Sequence, residues 1–154
     1  MAIQTLNPTT ETVEKVFSQD SDEMIQKKIA IAQTAFQSWR TLPSEERAVF
    51  LRKVAELLEE RKEEYARIMA HEMGRPLTPG VVEITKCAWV CNYYADNAKG
   101  LLEPEVVASD ARKSYVRFDS LGIVLAVMPW NFPFWQVLRF SAPALMAGNV
   151  ALLK

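Results

Sequence analysis

Gly122-Ile123-Val124-Leu125-Ala126-Val127-Met128-Pro129-Trp130-Asn131-Phe132-Pro133 passes from an unbroken apolar run into a tight turn bounded by two prolines. The run lacks polar alternation, as expected of a strand buried on both faces in a parallel, helix-covered sheet. Beyond the turn, residues 134–147 have helical spacing, Gly148 ends that helix, and Asn149-Val150-Ala151-Leu152-Leu153 reads as a second buried strand. Strand, turn, helix and strand make one βαβ unit, so the expected fold class is α/β. The turn releases one amide side chain, Asn131, at the start of a helix, where unpaired N–H groups and a positive partial charge favour anions. An Asn held there beside backbone donors suits the stabilisation of an oxyanion. The alternative role for Asn131 is a cap of the turn.

Upstream the pattern is helical. Ser21 or Asp22 can cap a helix in which Ile25, Ile29, Ala32, Phe36 and Trp39 form one buried stripe, ended by Leu42-Pro43. Ser44 is placed to cap a second helix, with Glu45 and Glu46 in its first turn and Leu51, Val54, Leu57 and Leu58 on its apolar face, until Gly74 and Pro76 stop it. The charged run Glu59-Glu60-Arg61-Lys62-Glu63-Glu64 inside it reads as a solvated face, with a break between two helices as the alternative. A third helix is expected from near Pro79 through Ile84, Cys87, Ala88, Cys91, Tyr94 and Ala95 to Gly100. Its rings Trp89, Tyr93 and Tyr94 are expected to fill a helix interface.

Before the helices, Asn7-Pro8-Thr9-Thr10 is a turn beside short extended pieces that make an edge segment. After them, residues 105–107 and 113–118 form two short strands around a polar turn. The chain thus divides into a mainly helical part, 1–104, a hairpin, 105–120, and the βαβ unit, 121–154.

A chain of 154 residues normally forms a single core. With 18 basic against 19 acidic residues there is no electrostatic footprint for nucleic acid or an anionic membrane. The first residues, Met1-Ala2-Ile3-Gln4-Thr5-Leu6-Asn7-Pro8, lack a basic region followed by an apolar stretch, and the longest apolar runs do not suffice to span a bilayer. A cytoplasmic protein is therefore expected. Cys87 and Cys91, the only cysteines, lie four apart on one helix face and read as reduced packing residues. His71-Glu72 has no second His four residues after His71, and a single His leaves too few ligands for a metal.

Residues 122–133, together with Pro143-Ala144-Leu145-Met146-Ala147-Gly148-Asn149-Val150-Ala151-Leu152-Leu153-Lys154, resemble the NAD(P)-dependent aldehyde dehydrogenase superfamily. Asn7-Pro8, Ala35-Phe36-Gln37-Ser38-Trp39, Glu72-Met73-Gly74-Arg75-Pro76 and the lead from Tyr115 to Leu121 support the likeness. It covers essentially the whole chain, yet only the N-terminal part of a longer enzyme. Within that family, residues 129–139 are similar to succinate-semialdehyde dehydrogenases. The resemblance implies that a cysteine thiolate attacks an aldehyde, that the alkoxide is held by Asn131, that hydride passes to NAD or NADP, and that a carboxylate-activated water hydrolyses the thioester. It implies further that Lys154 contacts the adenosine ribose, that Trp130 and the backbone of Val127 and Met128 line the nicotinamide side, and that Arg139 binds the substrate. Two turns past Asn131 on nearly the same face, a guanidinium at 139 can hold a distal carboxylate bidentately; a surface or salt-bridged Arg is the other role open to it.

The nucleophilic cysteine and the water-activating carboxylate of the family have no counterpart here, since neither Cys87 nor Cys91 sits in a matching motif. Two functions remain open: an incomplete N-terminal portion of a semialdehyde dehydrogenase, inactive by itself and part of a homo-oligomer in the full-length parent, or a non-catalytic remnant that associates with an intact homologue. One βαβ unit and helices lacking partners are expected to leave the isolated chain loosely packed or prone to aggregate.

Overall fold

A computed structural model of the chain describes residues 3–154; Met1 and Ala2, the start of the segment read above for a leader, lie outside the described residues. Strands β1 (Ile3–Leu6) and β2 (Val13–Phe17) pair antiparallel around the Asn7 turn. The Asn7 side chain accepts hydrogen bonds from the N–H groups of Thr9 and Thr10, the local closure that favours Asn in turns. Four helices follow: α1 (Asp22–Trp39), α2 (Ser44–Glu60), α3 (Lys62–Met73) and α4 (Leu77–Leu101). A short antiparallel pair, β3 (Glu105–Val106) and β4 (Tyr115–Val116), leads into β5 (Ile123–Ala126), α5 (Pro133–Met146) and β6 (Val150–Leu153). β5 and β6 are parallel, Ile123 facing Val150 and Ala126 facing Leu153, so residues 122–153 form the expected βαβ unit.

The core is built around α4, which packs on α2, α3 and α5. Ile84, Cys87, Ala88, Cys91, Ala95 and Ala98 on α4 meet Leu51, Ala55 and Leu58 from α2, Met69 from α3, and Ala142 and Met146 from α5. Small residues allow the close approach. A Cβ added at Gly80 would lie 3.0 Å from the Ala66 Cβ and 3.2 Å from its Cα, so a larger residue would have to push α3 back where α4 crosses it.

Several expectations are corrected. Ser21 caps α1 by accepting from the Met24 N–H, but only Ala32 and Phe36 of the anticipated stripe are buried. Ile25 and Ile29 are exposed. Ser44 is not a cap; Pro43 holds that position, and its carbonyl accepts from Glu46 and Arg47. The charged run 59–64 contains the break: Arg61, at φ −110° and ψ 16°, separates α2 from α3. Trp89 and Tyr93 stack at 5.6 Å on the exposed side of α4 rather than filling an interface. The apolar run 122–128 is not buried on both faces, although α1 as well as the crossover helix α5 packs against the strand pair. Ala126 is buried while Leu125 is 67% exposed.

Cys87 and Cys91 are both free and buried. Burial pushes the Cys87 thiol up to about 12, with the Glu83 charge adding to it, and burial alone pushes Cys91 up to about 11. Both therefore stay protonated in the native chain across the neutral range. A raised native value stabilises the fold below the unfolded-state value, usually near 9, and that contribution is lost as pH rises through about 9 to 12. We expect no iodoacetamide labelling of the folded chain at pH 8 and labelling of both thiols in urea; mass spectrometry finding a rapidly alkylated native thiol would contradict this.

Candidate functional site

The turn between β5 and α5 carries Trp130 and Asn131, with Phe132 as the N-cap residue and Pro133 in the first helical position. Pro suits that place because its fixed φ matches the helix and its missing N–H would have had no intrahelical partner. The helix ladder begins where Gln136 N–H donates to the Phe132 carbonyl at 2.9 Å. Phe132 contributes no side-chain cap.

The cap comes from another helix. Glu83 on α4, with its side chain 2% exposed, places Oε1 3.1 Å from the Phe134 nitrogen and 2.9 Å from the Trp135 nitrogen, accepting from both. A carboxylate at a helix N-terminus satisfies otherwise unpaired donors and complements the positive end of the helix dipole. Its second oxygen, Oε2, lies 3.0 Å from Arg75 Nη2, in an ion pair whose arginine side chain is 14% exposed. The same guanidinium donates from Nη1 to the Asn131 carbonyl at 3.1 Å and lies 4.5 Å from the centre of the Phe132 ring. Gly74 makes this reach possible: at φ 69° it ends α3 in the left-handed conformation and turns Arg75 back toward α5.

This arrangement corrects one expectation about the turn. The start of α5 does not offer Asn131 free neighbouring amides, because Glu83 already occupies those of Phe134 and Trp135. Nor is Asn131 the cap. Its residue is exposed, and its carboxamide takes part in no hydrogen bond formed among the described residues, so it stands available to a ligand.

Asn131 and Arg139 line one cleft of about 670 Å³ between α4 and the start of α5. Arg75, Glu83, Lys86 and Trp135 line it too, Lys86 with its ammonium 3.9 Å over the Trp135 ring. Arg139 is exposed and forms no ion pair among the described residues. With Glu83 paired to Arg75, Lys86 and Arg139 leave the cleft positive, a setting for an anionic group beside an amide donor.

Val127, Met128 and Lys154 lie elsewhere, at the carboxyl ends of the parallel strands. Lys154 N–H donates to Ala126 at 2.8 Å and its carbonyl accepts from Met128 at 3.1 Å, so the ladder carries both strands a residue or two further than their regular portions. Trp130, 77% exposed, stands in the turn between the two groups. The residues not anticipated from sequence are Arg75, Glu83 and Lys86. A signal for Glu83 existed: it shares a helix face with Gly80 and Cys87, an acid set in an otherwise apolar stripe.

Residues 1–154 match the model of the aldehyde dehydrogenase family over their full extent. The chain belongs to that family. This family member is 51% identical over 154 residues to the probable succinate-semialdehyde dehydrogenase (NADP(+)) of Synechocystis sp., a match that takes in 100% of this chain and 34% of that protein. It is 44% identical over 159 residues to succinate-semialdehyde dehydrogenase (NADP(+)) 1 of Mycobacterium tuberculosis, again over 100% of this chain and 34% of the relative. The crystal structure of succinic semialdehyde dehydrogenase from Streptococcus pyogenes in complex with NADP+ superposes with a TM-score of 0.93 at 34% identity, covering 97% of this chain and 33% of that one. The chain spans about a third of the length of the curated relatives it matches. Its fold is that of the N-terminal part of aldehyde dehydrogenase structures.

Removing one partner of a buried pair leaves the other uncompensated, at about 3–5 kcal/mol. Glu83→Ala, which also strips two amides of their acceptor, is therefore expected to cost at least the lower end of that range in urea unfolding. A loss under about 1 kcal/mol, the size of an exposed pair, would show that this carboxylate does not hold α5.

Proposed function

We propose that residues 1–154 supply part of the working site of an NAD(P)-dependent aldehyde dehydrogenase that oxidises succinate semialdehyde to succinate. The observation that carries this assignment is the shared cleft, which an uncommitted carboxamide at Asn131 and an uncommitted guanidinium at Arg139 both line. Succinate semialdehyde has a carbonyl at one end and a carboxylate at the other, which matches those two donors in kind and in order.

In this scheme the Asn131 carboxamide donates to the oxygen of the aldehyde as attack turns it into an alkoxide. Loss of one such donor typically costs ~10²–10³ in rate. Arg139 binds the distal carboxylate through two parallel N–H donors, a geometry lysine cannot offer. The attacking thiolate belongs to a cysteine outside residues 1–154, because Cys87 and Cys91 are buried and held protonated. The carboxylate that activates the hydrolytic water is likewise assigned outside them. The isolated chain is therefore proposed to be inactive, and the complete enzyme to be a cytoplasmic homo-oligomer.

The residues at the strand ends fit a dinucleotide. Ligands of open α/β sheets lie beyond the carboxyl ends of the strands, and there an exposed Lys154 offers donors for ribose hydroxyls while exposed Val127 and Trp130 offer apolar surface for a nicotinamide beside Met128. NAD or NADP, when bound, supplies the hydride acceptor. Homologous proteins named for NADP(+) support that cofactor class.

The test uses an enzyme in which residues 1–154 replace the matching third of the Synechocystis relative. Arg139→Ala is expected to raise KM for succinate semialdehyde about 10- to 100-fold, the worth of a charged hydrogen-bonded pair, with little change for butanal. Asn131→Ala is expected to lower kcat for both aldehydes by ~10²–10³. Equal effects of Arg139→Ala on the two substrates would remove the carboxylate clamp, and an Asn131→Ala enzyme with full kcat would remove the oxyanion assignment.

A further inference from the structure

Asn131 sits in a turn, exposed, with no hydrogen bond of its own carboxamide to hold it. A donor of that kind accelerates a reaction only if it is aimed before the charge develops. The structure supplies a device for this from behind. Arg75 Nη1 donates to the Asn131 carbonyl at 3.1 Å, and the guanidinium lies 4.5 Å from the centre of the Phe132 ring, so one side chain grips both residues of the peptide that joins turn to helix. Fixing a carbonyl fixes its peptide plane, hence ψ of Asn131 and the direction in which its Cα–Cβ bond leaves the backbone.

Arg75 is itself held. Its Nη2 lies 3.0 Å from Glu83 Oε2, and Glu83 Oε1 accepts from the Phe134 and Trp135 amides, so the guanidinium, the carboxylate and the first turn of α5 form one closed bracket. Glu83 is buried in the wall of the cleft, and Arg75 is its ion-pair partner among the described residues.

We propose that Arg75 is a positioning residue: with Glu83 behind it, it orients the Asn131 carboxamide toward the reacting oxygen. This rests on the oxyanion role proposed above for Asn131.

The experiment is a double-mutant cycle in the same composite enzyme, with kcat and KM measured for succinate semialdehyde and folding checked by thermal melt. Arg75→Ala is expected to lower kcat about 10- to 100-fold, since a displacement near 1 Å is enough for that, with KM within about threefold because Arg139 still holds the carboxylate. Arg75→Lys keeps the charge beside Glu83 but not the fork, and should recover part of the loss. The deciding measurement is Arg75→Ala placed on Asn131→Ala: with no carboxamide left to aim, the added loss should shrink to about twofold or less, a coupling that independent sites do not produce. Multiplicative losses would make Arg75 a mere support of the fold, and a raised KM with intact kcat would make it a substrate ligand; either result overturns the proposal. If Arg75→Ala does not fold, the cycle is run with Arg75→Lys and read by the same criterion. An Asn131→Ala enzyme with full kcat would instead overturn the oxyanion assignment itself, which separates the two failures.

Discussion

Helix α5 is closed at both ends by charged side chains from other helices, and the placement of the βαβ unit depends on those closures. It has no acidic residue in its first turn and no basic residue in its last, so its own sequence does nothing for its dipole. Glu83 from α4 takes the first amides. At the other end Arg47, a buried residue of α2, donates from Nε to the Met146 carbonyl at 3.1 Å and from Nη1 to the Leu42 carbonyl at 2.6 Å, while Trp39 Nε1 donates to the Leu145 carbonyl at 2.9 Å. An anion at the N-terminus and a cation at the C-terminus are the arrangement that the aligned peptide dipoles favour. Because the partners sit on α1, α2 and α4, the caps also fix where α5 lies against the helical body.

That placement explains the cleft. The floor is formed by α4, the rim by the start of α5, and the same Glu83 that caps the helix brings Arg75 into the wall. A carboxylate used in this way removes the α5 amides from the list of possible ligand donors and leaves the turn's own carboxamide in their stead. The helix N-terminus is thus a structural joint. Burial makes the joint rigid, since an unpaired Glu83 or Arg75 in that position would cost several kcal/mol.

The strand side of the unit is open. Leu121, Leu125, Val127 and Leu153 stay largely exposed, apolar surface of the kind that marks an unpartnered face. Trp89 and Tyr93, stacked on the outer side of α4, add a second such patch.

Local rules carried much of the architecture. The run 122–128, the prolines at 129 and 133, Gly148 and the apolar close at 150–153 determined strand, turn, helix and strand, because periodicity and turn chemistry act over neighbouring residues. The same holds for Gly74 as the end of α3, for the pairing of residues 105–106 with 115–116, and for Cys87 and Cys91 as buried thiols. The break at Arg61 was legible only as an alternative, since alternating charges suit a solvated helix and a helix junction equally well. Asn131 and Arg139 could be named from sequence, yet their meeting in one cleft required the crossing of α4 and α5. Arg75, Glu83 and Lys86 became visible only there. An acid 51 residues before the amide it caps and an arginine 56 residues before the carbonyl it grips leave no periodic trace; such pairs exist because packing brings distant segments together and makes an unpaired buried charge too costly to leave.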